Sequence, residues 1–162
     1  MILEVIGTLL TVIMVAIIIN TIEENKRKRE SKISFKESMD LTELPVVTFY
    51  NGSTKLNFLL DTGSNVSYIN NSIISLLDHE KTGMNKERFG VEGNLVNDES
   101  CKMTVYYKNQ KFEEEFFISD LDKAFEIIKQ ESGVQIHGIL GSKFFERYKY
   151  ILDFSELVAY IK

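Results

Sequence analysis

The segment Phe58-Leu59-Leu60-Asp61-Thr62-Gly63-Ser64 ends an apolar run on a carboxylate that a glycine follows two residues later. A short apolar run before turn residues is a strand signal, so Asp61 is predicted at a strand-to-turn junction. There Gly63 lets backbone N–H groups approach the carboxylate, and the Ser64 hydroxyl is able to donate to its outer oxygen. The same four residues are also good chemistry for a plain tight turn.

Upstream, Leu44–Tyr50 and Lys55–Leu60 flank Asn51-Gly52-Ser53, a strong hairpin signal whose second strand delivers Asp61. Downstream, Gly138-Ile139-Leu140-Gly141 precedes a predicted helix over Ser142–Tyr148, with Gly141 80 residues after Asp61. Further short strands are predicted at Val66–Asn70, Met103–Tyr107, Phe112–Ile118, Tyr150–Phe154 and Leu157–Ile161. Ser72–Leu77 reads as one or two helical turns. Asp120 is placed as the N-cap of a helix over residues 121–130 that Gly133 stops. The result is a mainly β domain with one or two short helices.

With these residues in view, the chain resembles the retropepsin-like aspartic proteases, in particular their single-domain, membrane-anchored bacterial-type members. The matching text is Phe58–Ser64, then His137-Gly138-Ile139-Leu140-Gly141-Ser142-Lys143-Phe144-Phe145 leading to Tyr150–Phe154, and the likeness spans about residues 45–162. It implies a closed β-barrel, half of an acid protease. Asp61 would be the catalytic carboxylate, Thr62 a cross-dimer hydrogen-bonding residue, and Gly63 the point of close backbone approach. Ser64 would be the partner of the carboxylate, and Ile139-Leu140-Gly141 would pack beneath the loop. Gly90-Val91-Glu92-Gly93 would form the flap over substrate. Ser64 stands where retroviral members usually carry Ala, and Ser142-Lys143 replaces the Arg-Asn or Arg-Asp pair that helps fix their dimer.

One Asp-Thr-Gly motif supplies one aspartate, and a dyad in which two carboxylates share a proton needs two. The expected enzyme is therefore a homodimer acting on protein or peptide substrates without metal or cofactor. The competing expectation is a non-catalytic peptide-binding or membrane-proximal assembly module on the same fold.

Of 162 residues, the first 22 form the expected transmembrane anchor. Val5–Ile22 is uncharged, and about 20 helical residues span a bilayer core. The basic cluster Lys26-Arg27-Lys28-Arg29 then opens a polar stalk, residues 23–44, facing lipid head groups and placing the C-terminal domain in the cytoplasm. From Glu37 onward 13 Lys/Arg stand against 20 Asp/Glu, a net charge of −7 that disfavours nucleic acid.

A single cysteine, Cys101, allows no internal disulfide, and His79 and His137 are too few for a histidine-rich metal site. A Cys101–His137 nucleophile pair ranks below a buried, inert cysteine. Asp153 reads as structural, His137 as strand-end support, and Glu113-Glu114-Glu115 as the solvated part of a hairpin.

Overall fold

The computed structural model describes residues 2–89 and 95–161, with the side chains of residues 2–5, 8, 27–30, 84–89 and 95–98 left aside. It divides into two units, Met1–Lys32 and Ile33–Lys162, each taken by itself.

The first unit is one helix, α1 (Ile2–Glu30). It runs eight residues beyond the expected boundary at Ile22, because Glu23–Glu30 contains good helix formers and neither Gly nor Pro. Inside it, the Thr11 and Thr21 hydroxyls donate to the carbonyls of Gly7 and Ile17, four residues back, at 3.1 and 2.8 Å. Leu9, Leu10, Val12, Met14 and Ile17 are all exposed. Among the described residues, no helix is long and apolar enough to cross a membrane. The expected anchor thus finds no support there; its uncharged run includes Val5 and Thr8, whose side chains lie outside the described ones.

In the second unit β2 (Val46–Asn51) and β3 (Thr54–Leu60) form the predicted hairpin. Its two-residue turn carries Gly52 at φ 55°, a left-handed conformation that suits glycine. The other strands are β4 (Ser67–Asn70), β5 (Glu80–Phe89), β6 (Leu95–Tyr107), β7 (Gln110–Ser119) and β8 (Gly138–Leu140). Six of them follow the order β2-β3-β8-β4-β7-β6, and the Tyr50–Tyr106 pairing returns β6 to β2 and closes the ring. Strand β5 pairs with β6 outside it. The closed, mainly β barrel is as expected. The proposed flap, Gly90-Val91-Glu92-Gly93, lies outside the described residues.

Alternation along the strands sends Phe49, Phe58, Phe112 and Phe116 inward, where they are buried together with Phe144 from a helix over Ser142–Tyr148. Phe49 meets Phe58 and Phe112 edge-on at centroid distances of 5.8 and 5.7 Å, a favoured aromatic geometry.

The expected stalk needs correction. Residues after α1 enter the domain as β1 (Ile33–Ser34) and α2 (Lys36–Thr42). Strand β1 pairs with β10 (Val158–Ile161), which pairs with β9 (Tyr150–Asp153) in a second, three-stranded sheet. Ile33 and Phe35 are each 1% exposed in the core, two apolar side chains hidden in a charged run.

With α3 (Asp122–Ser132) and α4 (Ser142–Tyr148), the described residues of this unit form three short helices rather than one or two, besides a 3-10 turn at Ile74–Leu76. Gly133 ends α3 at φ 76°, as predicted. The start is shifted: Leu121 occupies the cap position, and the Asp120 carboxylate accepts the Asp122 N–H at 3.1 Å.

Candidate active site

Asp61 follows β3 directly, and its N–H donates to the Leu140 carbonyl at 3.0 Å. The Asp61 Oδ1 atom accepts the Gly63 N–H at 2.9 Å, which fixes the carboxylate against its own turn. The carboxylate remains partly open to solvent, Thr62 and Gly63 are exposed, and Ser64 is half-buried. A side chain on Gly63 would begin 3.1 Å from Oδ1, so glycine leaves the acid its place.

Strand β8 holds this loop from below. It lies parallel to β3 through Phe58–Gly138, Leu59–Ile139 and Leu60–Leu140, and antiparallel to β4 through Tyr68–Ile139. Inserting a three-residue strand so closely demands small residues at both ends. A Cβ on Gly138 would overlap the Tyr68 carbonyl oxygen and stand 2.6 Å from the Phe58 ring; one on Gly141 would overlap the Val66 carbonyl. Beyond Gly141, the Ser142 N–H donates to the Ser64 carbonyl at 2.7 Å and the Lys143 N–H to the Asn65 carbonyl at 3.3 Å. Leu140 and Ser142, on either side of Gly141, are thus bonded to the backbone of the Asp61–Ser64 loop.

Other details differ from expectation. The Ser64 hydroxyl donates to the Val66 carbonyl at 2.8 Å, not to Asp61, because the loop turns its side chain toward the following strand. The Glu113–Glu115 run is not all solvated: Glu114 is 4% exposed, between the inward-facing Phe112 and Phe116. Its Oε2 accepts Arg147 at 2.9 Å and its Oε1 the Ser67 hydroxyl at 3.1 Å. Burial pushes its carboxyl above the ordinary range, against the opposing pull of Arg147 and Ser67. Glu114, Ser67 and Arg147 were missed as a group. The period-2 pattern Phe112-x-Glu114-x-Phe116 is the signal that finds them.

Cys101 is fully buried and its thiol is pushed up to about 11 by burial and by Glu115, which leaves it inert as a nucleophile. His137 does support a strand end: its Nδ1 accepts the Asn57 N–H at 3.0 Å, doing the work of a sheet carbonyl. Burial holds its imidazole below the usual value. Asp153 caps the β9–β10 turn, its Oδ1 accepting from the Ser155 N–H at 2.9 Å and the Glu156 N–H at 3.1 Å.

Two grooves, of about 700 and 630 Å³, are lined by other residues, Glu114 and Arg147 in the first and Asp122 and His137 in the second; Asp61 lines neither. Among the described residues there is no group of three or more His, Cys, Asp or Glu fit to hold a metal ion.

No protein-family model matches the chain, and no curated protein does. Among solved structures it is similar to the EIAV protease complexed with the inhibitor HBY-793, with 22% identity and a TM-score of 0.49, covering 67% of this chain and 90% of that one. It is also similar to a retropepsin-like aspartic protease from Rickettsia conorii, with 14% identity and a TM-score of 0.47, covering 80% and 88% of the two chains.

Proposed function

We propose that this chain is one half of a retropepsin-like aspartic endopeptidase, whose catalytic dyad forms when two copies bring their Asp61 carboxylates together. The observation that carries the reading is Asp61 itself: a solvent-reachable carboxylate fixed by its own Gly63 N–H on a loop that β8 braces. A lone carboxylate of this kind lacks a second group to protonate a substrate carbonyl. A two-fold-related copy supplies it.

In the dyad one Asp61 is ionised and the other protonated, since two adjacent carboxylates do not readily both ionise. The ionised one takes a proton from a bound water while the water oxygen bonds to the scissile carbonyl carbon. The protonated one gives its proton to the carbonyl oxygen, and a tetrahedral diol results. Collapse breaks the C–N bond as a carboxyl proton passes to the leaving nitrogen, and the second proton returns from the diol to the dyad. No acyl-enzyme forms. Gly63 and Gly141 serve by leaving room, Leu140 by holding the Asp61 backbone, and Thr62 by its exposed place beside the acid for a bond across the dimer.

A membrane anchor belongs to the same reading and rests on the sequence, on the uncharged run Val5–Ile22 and the basic cluster after it, which together orient the domain to the cytoplasm. Two copies held in one membrane meet at raised effective concentration.

The test is a peptide library offered to the purified full chain in detergent and to Asp61→Asn. Cleavage by the wild type alone supports the reading, and equal cleavage by both, or by neither, overturns it. For the anchor, release of the protein from membranes by alkaline carbonate would count against a span.

A further inference from the structure

Glu114 is the only Asp, Glu, Lys or Arg that is buried among the described residues. It occupies the inward series of β7, opposite Met103 on β6, where an apolar side chain would fill the space at no electrostatic cost. Burying a carboxylate carries a desolvation cost that its partners only partly offset, so stability alone is a poor reason to keep one there. Its surroundings suggest a better one.

The two oxygens of Glu114 do different things. Oε2 accepts Arg147, which also donates to the Glu113 carbonyl at 3.2 Å, so the end of α4 is fastened to β7. Oε1 accepts the Ser67 hydroxyl at 3.1 Å. The same hydroxyl oxygen accepts the Gly141 N–H at 3.2 Å. A hydroxyl has one proton, and an ionised carboxylate accepts only. Glu114 thereby fixes where the Ser67 proton points and leaves a lone pair facing Gly141. Gly141 in turn lies between Leu140, which holds the Asp61 N–H, and Ser142, which holds the Ser64 carbonyl.

We propose that Glu114 is a positioning residue for the Asp61 loop, acting through the Ser67 hydroxyl and the Gly141 N–H. The assignment rests on the peptidase reading for its effect on rate, and on the hydrogen-bond chain alone for its effect on the loop. Glu114→Gln keeps size and shape but reverses one bond. Its amide oxygen faces Arg147, so its NH2 faces Ser67; the hydroxyl must then accept from both sides, and its own proton loses its acceptor.

In the full-length protein, Glu114→Gln is expected to lower kcat about tenfold with KM changed less than about twofold, the pattern of an interaction used in the transition state. Because Glu114 acts through Ser67, the double variant Glu114→Gln/Ser67→Ala is expected to lose no more than Ser67→Ala alone. Unchanged kcat in Glu114→Gln, or losses that simply add, would overturn the proposal. A second readout does not depend on cleavage: amide hydrogen exchange at Gly141 and Asp61 is expected to quicken about tenfold in Glu114→Gln while the β2–β3 hairpin amides stay as they were. If the wild type cuts no peptide, the peptidase reading falls and exchange alone decides; unaltered exchange at Gly141 then sinks the relay.

Discussion

Gly141 packs so tightly on Val66 that a methyl group on its Cα would overlap the Val66 carbonyl oxygen and lie 2.8 Å from the Val66 nitrogen. The backbone at Gly141 is extended, φ −85° and ψ 176°, so the demand is for space and not for an unusual conformation. Gly141→Ala is expected to destabilise the fold by roughly 1–3 kcal/mol, as overpacking does, and to abolish cleavage by lifting the floor of the Asp61 loop. Gly63→Ala is the contrast: its neighbour is the tip of a side chain, so the melting temperature should barely move while activity drops. Thermal denaturation alongside peptide cleavage separates the two.

His137 predicts a pH dependence of stability. Its folded imidazole binds a proton less readily than the ordinary value of about 6.5 that holds in the unfolded chain. Below that pH the unfolded state takes up more protons. The contribution of His137 is therefore complete above about pH 6.5 and declines as the pH falls from there toward the lower folded value. Protonation at Nδ1 also removes the acceptor for the Asn57 N–H. Urea midpoints at several pH values should show this decline in the wild type, and His137→Phe should flatten it at a cost of about 1–3 kcal/mol for the stranded N–H.

The N-terminal border of the domain can be measured directly. A chain beginning at Ile33 is expected to melt cooperatively, whereas one beginning at Pro45 lacks Ile33 and Phe35. Losing such core side chains costs about 2–5 kcal/mol each, a large part of the roughly 5–15 kcal/mol that holds a domain together. Cooperative melting of the shorter chain near the temperature of the longer one would restore the stalk.

A dyad made from two copies obeys mixing statistics. When wild type and Asp61→Asn are unfolded together in equal amounts and refolded, only about one dimer in four carries two native aspartates. Cleavage per wild-type chain should then be about half that of the pure wild type. Activity that merely tracks the amount of wild-type chain would show that each copy works alone.

What the sequence discloses is what neighbours in the chain decide. Asn51-Gly52 makes its hairpin, Gly133 stops its helix and Asp61 ends its strand, because each signal is complete within a few residues. Ile33 and Phe35 were hidden because a two-residue strand among lysines has no period to read, and its partner, β10, lies over 120 residues away. Glu114 was hidden for a different reason: three consecutive glutamates look solvated until the strand's alternation is laid over them. The Ser64 bond depends on how a loop turns its side chain, which composition does not specify.

The bracing of Asp61 also imposes an order of events. Strand β8 enters between β3 and β4 only after the chain has been made as far as Leu140, and the Ser64 carbonyl waits for Ser142. Long-range pairings of this kind form late, since loop closure must precede them. A growing chain thus carries Asp61 on an unbraced loop until Leu140 and Ser142 have been made, so the geometry of this loop is among the later features of the fold to be set.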